Sequence, residues 1–218
     1  MSELYIVLDT ETTNSLDDPL CYDIGWAVVD RTGNVYQTYS FVVADIFLDS
    51  QLMENAYFKE KIPTYWEQIK SGERTLAKFS TIRKIFHDCA KAYGVTKFFA
   101  HNMRFDYRST NLTQRFLTSS KYRYFFPYGA EICDTLKMAR QTLKYSEAYD
   151  NFCYENNYLT KRGCKRYTAE IIYRFITNNL QFEEEHTGLA DVLIEKEILA
   201  YCFHEFPEVE CELWDKED

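Results

Sequence analysis

Two carboxylates, Asp9 and Glu11, stand two residues apart just after the apolar run Leu4–Leu8. Because side chains two apart on a strand point to the same face, both acids converge on one spot where a buried strand ends. Adjacent anions in such a place repel each other and resist desolvation unless a cation compensates them. Oxygen-rich sites of this kind suit Mg²⁺ or Mn²⁺. The pair therefore indicates a metal site, while two solvated acids at an exposed strand end remain the alternative from this stretch alone.

Two further acids each lie in the first turn of a predicted helix. Asp106 comes shortly after the predicted strand Val95–Ala100, and Asp191 lies near the start of the last predicted helix, Thr187–Phe203. His186 precedes Asp191 by five positions, which differ by about 140° on a helix. We therefore place His186 in the loop before the helix, where its imidazole is free to approach a substrate. A lone histidine beside a helix is usually structural or solvated, so His186 indicates catalysis only in combination with the acids.

Other charged residues near these positions have simpler interpretations. Arg104, Arg108 and Arg115 form a helical stripe that points away from Asp106, which favours a solvated face. Asp134 directly precedes a predicted helix and is interpreted as its N-cap.

The predicted secondary structure is three strands followed by short strands that each lead into a helix. An antiparallel opening is predicted from the first strand together with Tyr22–Asp30 and Val35–Val43. Short strands at Val95–Ala100 and Glu131–Cys133 then each lead into a helix. Helices are predicted at Leu76–Tyr93, from the residues after Asn102 to about Leu117, and at 134–140, 168–177 and 187–203. Their predicted inward residues include Phe105, Ser109, Leu112 and Phe116 in one helix and Leu189, Val192, Leu193, Ile198, Leu199 and Cys202 in the last.

Two segments and the C-terminal end depart from this regular pattern. Residues 45–74 have helical spacing interrupted by Pro63 and by Ser71-Gly72, and we predict helical pieces packed over the sheet. Residues 146–166 predict a helix followed by a basic loop. The chain is therefore predicted to form one domain, 1–207, with insertions near 45–74 and 146–166, followed by an acidic tail, 208–218.

Composition narrows the class of protein. Of the 218 residues, 46% are hydrophobic, yet no segment approaches the roughly 18 consecutive apolar residues of a membrane span. Seven dispersed cysteines without C-x-x-C spacing, and a start that lacks the basic region of a signal peptide, predict reduced thiols and a cytoplasmic protein without a zinc site. The net charge is −9, but Lys97–Arg174 holds 14 Lys and Arg against 7 Asp and Glu. That basic middle is compatible with a phosphate backbone as partner.

The motifs Asp9-x-Glu11, His101-Asn102-x-x-Phe105-Asp106 and His186-x-x-x-x-Asp191, in this order, resemble those of the DEDDh (DnaQ-like) 3′–5′ exonuclease family of the ribonuclease H-like superfamily. Cys133-Asp134-Thr135-Leu136-x-x-Ala139-Arg140 is similar to the segment that the family carries between its second and third motifs. The resemblance covers nearly the whole chain. It implies an α/β fold of the ribonuclease H-like type, with a mixed sheet of three antiparallel strands followed by parallel strands, flanked by helices.

The resemblance also implies a chemistry. The protein would be a metal-dependent 3′–5′ exonuclease that releases 5′-mononucleotides from single-stranded ends by two-metal-ion hydrolysis. Asp9, Glu11, Asp106 and Asp191 would hold two divalent ions, Mg²⁺ or Mn²⁺, and His186 would be the general base.

Substrate contacts are implied for three more residues. Thr12 and Thr13 would contact the terminal nucleotide, and Asn102 would support the second motif. The chain departs from the family at Asn14, where many relatives have glycine, which leaves the terminal-base contact open. Thr187 stands where the tyrosine variant of the superfamily would have its tyrosine, and this argues against that variant.

Two other functions compete with this one. A catalytically silent binding or adaptor module of the same fold would lack a carboxylate or the histidine, and none is missing. Another ribonuclease H-like enzyme, such as an endonuclease, would lack the His-x₄-Asp spacing. The sequence leaves open the choice between single-stranded DNA and RNA, and a homodimer and a polymerase-associated chain are both compatible with it.

Overall fold

The strand that begins at Leu4 lies at the centre of a six-stranded mixed sheet. Alternate side chains of this strand enter two different core layers, Ile6 and Leu8 on one face and Tyr5 and Val7 on the other. A strand that is buried on both faces requires a continuous apolar run, so the run in the sequence explains its central position.

The computed structural model describes residues 3–121 and 123–206. Its strands are β1 (Leu4–Thr13), β2 (Leu20–Asp30), β3 (Val35–Val43), β4 (Thr75–Ala77), β5 (Lys97–Ala100) and β6 (Glu131–Asp134). Its helices are α1 (Ala44–Phe47), α2 (Ser50–Met53), α3 (Ile62–Ser71), α4 (Phe79–Tyr93), α5 (Met103–Leu117), α6 (Thr135–Leu143), α7 (Glu147–Glu155), α8 (Ala169–Thr177) and α9 (Gly188–Glu205). A 3₁₀ turn, Lys59–Lys61, precedes α3. The predicted acidic tail, 208–218, lies outside the described residues.

The strand order across the sheet is β4-β3-β2-β1-β5-β6. The first three strands pair antiparallel, whereas β5 runs parallel to β1 and β6 runs parallel to β5. This confirms the predicted sheet of three antiparallel strands followed by parallel strands. Because β1, β5 and β6 run in one direction, the residues that follow β5 and β6 meet the acidic end of β1 at the same edge of the sheet.

One short strand lies where the sequence predicts helix. The predicted helix Leu76–Tyr93 starts only at Phe79, and β4 precedes it, paired parallel with the end of β3. The amide of Phe79 donates a hydrogen bond of 2.7 Å to Asp45 Oδ2, so a side chain from α1 fixes the point where α4 begins. Leu76 and Ala77 are only half buried at the sheet edge. Because Leu76 continues the apolar spacing of α4, the sequence pattern does not distinguish this three-residue strand from the first turn of a helix.

Two residues predicted to be buried are exposed: Phe116 is 59% exposed and Leu193 is 40% exposed. In α5 the buried face consists instead of small polar residues. Thr110 and Thr113 are buried because their hydroxyls donate to backbone carbonyls four residues earlier, each at 2.7 Å. Hydroxyls satisfied within their own helix can be buried without a further partner, and a search for apolar residues overlooks them.

The segments 45–74 and 146–166 have the predicted secondary structure. The 45–74 segment contains α1, α2, the 3₁₀ turn and α3, and it contributes Ile46 and Tyr65 to the core over the sheet. The 146–166 segment contains α7 followed by a hairpin that is closed by the pair Leu159 and Lys165. None of the described helices combines the length and the apolar character that a membrane crossing requires.

Candidate active site

Two glycines allow the start of α9 to lie directly against β2. A Cβ atom on Gly25 would lie 2.3 Å from the backbone nitrogen of Leu189, and one on Gly188 would lie 2.7 Å from the nitrogen of Gly25. Only residues without a Cβ fit at such distances. Gly25 is paired with Asp9 in the neighbouring strand. The close approach therefore brings the first turn of α9 up to the acidic end of β1.

The five residues predicted to act in catalysis line one cleft with a volume of about 770 Å³. These residues are Asp9, Glu11, Asp106, His186 and Asp191. Glu11, His186 and Asp191 each present one ligand atom, and these atoms lie within 4.8 Å of one another. Residues from β1, α5 and α9, far apart in the sequence, thus meet in one place.

Asp106 is tied to the strand that carries the first two acids. Its Oδ1 accepts hydrogen bonds from the backbone nitrogen of Thr10 at 3.0 Å and from the Thr10 hydroxyl at 2.8 Å. Thr10 stands between Asp9 and Glu11, so these buried bonds fix the acid of α5 relative to those of β1. Asp106 lies in the first turn of its helix, as the sequence predicts.

Crowding and burial raise the pKa values of the acids in the cleft. Burial, followed by the charges of Asp106 and Glu195, raises the pKa of Asp9 well above its usual value. Burial, followed by the charge of Asp191, raises the pKa of Glu11 to about 9. Burial also raises the pKa of Asp106 to about 7 and that of Asp191 to about 8. Such a cluster either retains protons or binds cations at neutral pH.

Glu195 is a further member of this cluster that was not predicted from the sequence. It lies in α9 four residues after Asp191, is only 3% exposed and lines the same cleft. Burial, followed by the charges of Asp106 and Asp191, raises the pKa of its carboxyl group well above the usual value. The i, i+4 spacing from Asp191 places both acids on one helix face, so this spacing could have predicted Glu195 from the sequence.

The donor set fits divalent metal ions. Three buried carboxylate oxygens of the cleft, Asp9 Oδ2, Asp191 Oδ1 and Glu195 Oε2, have no hydrogen-bond partner within the described part of the chain. A buried carboxylate oxygen without a partner is costly unless a proton or a cation compensates it. Carboxylate oxygens are the ligands that Mg²⁺ and Mn²⁺ prefer.

The 45–74 insertion holds the loop that carries His186. The ring of Phe58 stacks on the imidazole with centroids 4.5 Å apart and planes at 10°. Lys61 Nζ donates a hydrogen bond to the carbonyl of Glu185 and lies 5.0 Å from the centre of the Phe58 ring. His186 has a positive φ of 49° and lies just before α9, in the predicted loop position. Burial and the charge of Lys61 lower its pKa, which favours a neutral imidazole.

The same insertion reaches the start of α9 through Asp23, a second residue that the sequence analysis missed. Asp23 is fully buried and pairs across the strands with Glu11. Arg74 Nη1 lies 2.7 Å from its Oδ1, while the Tyr65 hydroxyl and the Gly188 amide donate to its Oδ2 at 2.7 and 3.0 Å. A buried carboxylate with one guanidinium and two more donors is satisfied, so Asp23 serves as a structural bridge.

His101 is engaged through both ring nitrogens. Nε2 lies 2.7 Å from the carbonyl oxygen of Tyr167, and Nδ1 lies 3.2 Å from the Thr135 hydroxyl. Burial lowers the pKa of this imidazole. The backbone nitrogen of Asn102 donates to Asp134 Oδ1 at 3.1 Å, and Asp134 also caps α6 as predicted. His101 and Asn102 thus hold the junction between β5 and α5.

Thr12 and Thr13 follow a β-bulge just after Glu11. Thr13 is buried, and its hydroxyl donates to the carbonyl of Leu52. The residues that line the cleft include neither threonine, and their contact with a terminal nucleotide stays a prediction.

The arginine stripe of α5 lies elsewhere. Arg104, Arg108 and Arg115 are exposed, and none of them lines the cleft. This agrees with the predicted solvated face.

Comparisons with known proteins identify the architecture. The sequence matches no protein-family model and no curated protein sequence. The fold is similar to that of Exonuclease I from Methylocaldum szegediense, with a TM-score of 0.64, 16% identity and 94% of this chain covered. It is similar to a zinc-bound Exonuclease I–ssDNA complex from E. coli, with a TM-score of 0.57, 13% identity and 95% covered. It is also similar to the cell-death related nuclease CRN-4, with a TM-score of 0.60, 12% identity and 94% covered.

These structures are longer than the present chain, which spans about two fifths of the Exonuclease I chains and 65% of CRN-4. The predicted α/β fold, a mixed sheet of three antiparallel strands followed by parallel strands and flanked by helices, is confirmed, and this fold is similar to that of the exonuclease structures.

Proposed function

We propose that this protein is a metal-dependent 3′–5′ exonuclease of the DEDDh type that releases 5′-mononucleotides from single-stranded ends. The observation that carries the proposal is the convergence of Asp9, Glu11, Asp106, Asp191 and His186 in one cleft. These residues have the types, order and spacing of the family's motifs. The similarity in fold to exonucleases supports a nuclease activity.

The four carboxylates would hold two divalent ions, Mg²⁺ or Mn²⁺. The buried, unpartnered oxygens of Asp9 and Asp191 support this assignment, as does the cluster of ligand atoms that includes Glu11. When bound, such ions neutralise phosphate charge, acidify a water molecule and stabilise the departing oxygen. The protein supplies a rigid frame for them, because Asp106 is fixed to β1 by Thr10.

His186 is proposed as the general base. In the proposed step its neutral imidazole takes a proton from a water molecule while the water oxygen bonds to phosphorus and the bond to the 3′-oxygen breaks. The 3′-oxygen leaves with the bonding electron pair and takes a proton from solvent to become the 3′-hydroxyl of the shortened strand. The lowered pKa of His186 favours the required neutral form. The stack on Phe58 holds the imidazole in the cleft without engaging its nitrogens. His101 is a poorer candidate, because both of its ring nitrogens are engaged.

The proposed substrates are the 3′ ends of single-stranded DNA or RNA. Several of the neighbouring Exonuclease I structures are complexes with ssDNA or oligonucleotides, which supports single strands as the substrate class. Discrimination between DNA and RNA depends on contacts at the 2′-hydroxyl. Digestion of matched single-stranded DNA and RNA side by side decides between them.

The competing function is a silent nucleic-acid-binding module of the same fold. Such a module would not need all four acids together with a neutral imidazole beside them. The complete set therefore favours an enzyme over a binding module.

Substitution of Asp9 tests the proposal. Asp9→Ala removes a central ligand and is expected to lower turnover by several orders of magnitude while oligonucleotide binding largely persists. Asp88→Ala, which changes an exposed acid of α4, serves as the control and is expected to cleave like the wild type. The measurement is the release of mononucleotides from a labelled oligonucleotide in Mg²⁺. If Asp9→Ala cleaves within a few fold of the wild type, the proposed site is wrong.

A further inference from the structure

The cleft has a second wall that the proposed chemistry does not use. This wall is formed by the end of α6 and by the hairpin of the 146–166 insertion together with the residues that follow it. It carries the cleft-lining residues Arg140, Lys165, Arg166 and Tyr167. A basic wall beside an acidic centre suggests two different tasks within one substrate-binding cleft.

The backbone of this hairpin is held in place by hydrogen bonds. The Tyr149 hydroxyl donates to the carbonyl of Arg166 at 2.6 Å, and the backbone nitrogen of Arg166 donates to the carbonyl of Tyr158 at 3.0 Å. His101 Nε2 lies 2.7 Å from the carbonyl of the next residue, Tyr167. The backbone is therefore anchored at Arg166 and at the residue that follows it, and Arg166 lines the cleft.

The three basic side chains of this wall differ in how they are engaged. Lys165 pairs with Asp150 and donates to two backbone carbonyls at the end of α6, so it holds the hairpin to the protein. Arg140 and Arg166 are exposed, and neither side chain forms an ion pair or hydrogen bond with a residue in 3–121 or 123–206. Carboxylates line the same cleft, yet these two guanidinium groups pair with none of them.

We propose that Arg140 and Arg166 form a phosphate-binding subsite for the part of the strand that lies 5′ of the scissile bond. This inference rests on the proposed exonuclease function. With the 3′-terminal nucleotide at the acids, all remaining phosphates of the strand lie on its 5′ side. Guanidinium groups bind phosphate oxygens in paired hydrogen bonds, and the absence of competing carboxylate pairs leaves both groups available.

The experiment compares Arg140→Gln and Arg166→Gln with Arg162→Gln. Arg162 is the matched control, because it lies in the same hairpin and is exposed but does not line the cleft. The substrates are a 12-nucleotide dT strand, a matched rU strand and the corresponding dinucleotides. A dinucleotide contains only the scissile phosphate, so it cannot use the proposed subsite.

We expect Arg140→Gln and Arg166→Gln each to raise KM for both 12-nucleotide strands severalfold, with kcat nearly unchanged. Each substitution should also reduce the slope of log affinity against log salt by about 1. Cleavage of the dinucleotides should stay at the wild-type level, which a loss of general structure would not allow. Arg162→Gln should match the wild type on all substrates.

Three results would overturn the subsite. These are KM values for Arg166→Gln that equal those of Arg162→Gln, an equal loss on dinucleotides, or an effect confined to one of the two polymers. Fluorescence anisotropy with the 12-nucleotide strands in EDTA keeps the two proposals separable. If the wild type binds these strands but cleaves none, the exonuclease proposal fails, and the affinities of the arginine variants still decide the subsite.

Discussion

Substitution of Gly25 by alanine should displace the first turn of α9 and so disable the site. The new Cβ would lie 2.3 Å from the backbone nitrogen of Leu189, whereas ordinary contacts begin at 3.4 Å. Because the obstructing atoms belong to the backbone, the strand and the helix must separate by about 1 Å. Asp191 lies two residues further along the helix and moves with it, away from Glu11.

The magnitude follows from this displacement. A misplacement of about 1 Å at a catalytic centre costs on the order of 10²-fold in rate. Overpacking also destabilises a protein by about 1–3 kcal/mol. We therefore expect Gly25→Ala to fold with a lowered melting temperature and to cleave about 10²-fold more slowly.

The control for Gly25→Ala is a glycine-to-alanine variant that destabilises the protein without displacing the acids. Gly94 ends α4 with a positive φ of 65°, and no atom of the described residues lies within 4 Å of an added Cβ there. Gly94→Ala should cost about 1–2 kcal/mol through its backbone conformation alone and keep its turnover. Both variants are compared by thermal melting and by kcat at saturating Mg²⁺ and substrate. If Gly25→Ala folds and its kcat stays within a few fold of that of Gly94→Ala, the close backbone approach does not position the acids.

Four further predictions follow from the same site. Mg²⁺ or Mn²⁺ should raise the melting temperature of the metal-free protein, because it binds only the native state, and EDTA should abolish cleavage. The metal-free protein should lose stability between about pH 5 and pH 9 in urea unfolding, because Glu11 and Asp191, with pKa values of about 9 and 8, keep protons that the unfolded chain releases near pH 4. His186→Ala should lower kcat by roughly 10²–10⁴-fold and remove the acidic limb of its pH profile, whereas His101→Ala should keep that limb. Phe58→Leu should lower kcat up to about tenfold by releasing the stacked imidazole, whereas Phe58→Tyr, which keeps an aromatic ring, should retain the kcat of the wild type.

Each of these predictions has a result that would contradict it. Full cleavage in EDTA excludes metal-dependent hydrolysis. Stability that rises with pH between 5 and 9 means that the acids are not buried together. An acidic limb that persists in His186→Ala and vanishes in His101→Ala reverses the assignment of the base. Equal kcat in the leucine and tyrosine variants of Phe58 shows that the stack does not position His186.

The central strand and the positions of the four acids could be predicted from local patterns in the sequence. The central strand could be predicted because burial on both faces requires the apolar run Leu4–Leu8. Asp9 and Glu11 share a face because strand geometry fixes the direction of residues two apart. Asp106 and Asp191 lie in first turns of helices, as the sequence predicts.

The missed residues depend on partners that are distant in the sequence. The burial of Asp23 requires Arg74 and Tyr65, which lie 51 and 42 residues further along the chain. No local pattern distinguishes such an acid from a solvated one. Glu195 is buried because the face of α9 that carries it packs towards the cleft. Leu193 lies on a different face of the same helix and is therefore exposed. Helical spacing of both residues can be read from the sequence, but the side of the helix that faces the cleft cannot.

The polarity of digestion distinguishes a 3′–5′ exonuclease from an endonuclease and from a 5′–3′ exonuclease in one experiment. The substrates are two 5′-labelled single-stranded oligonucleotides in Mg²⁺, identical except that one has a blocked 3′ end. We expect the free strand to shorten one nucleotide at a time with release of 5′-mononucleotides, while the blocked strand stays intact. Internal cleavage of the blocked strand, or loss of its 5′ label as a mononucleotide, would contradict a 3′–5′ exonuclease.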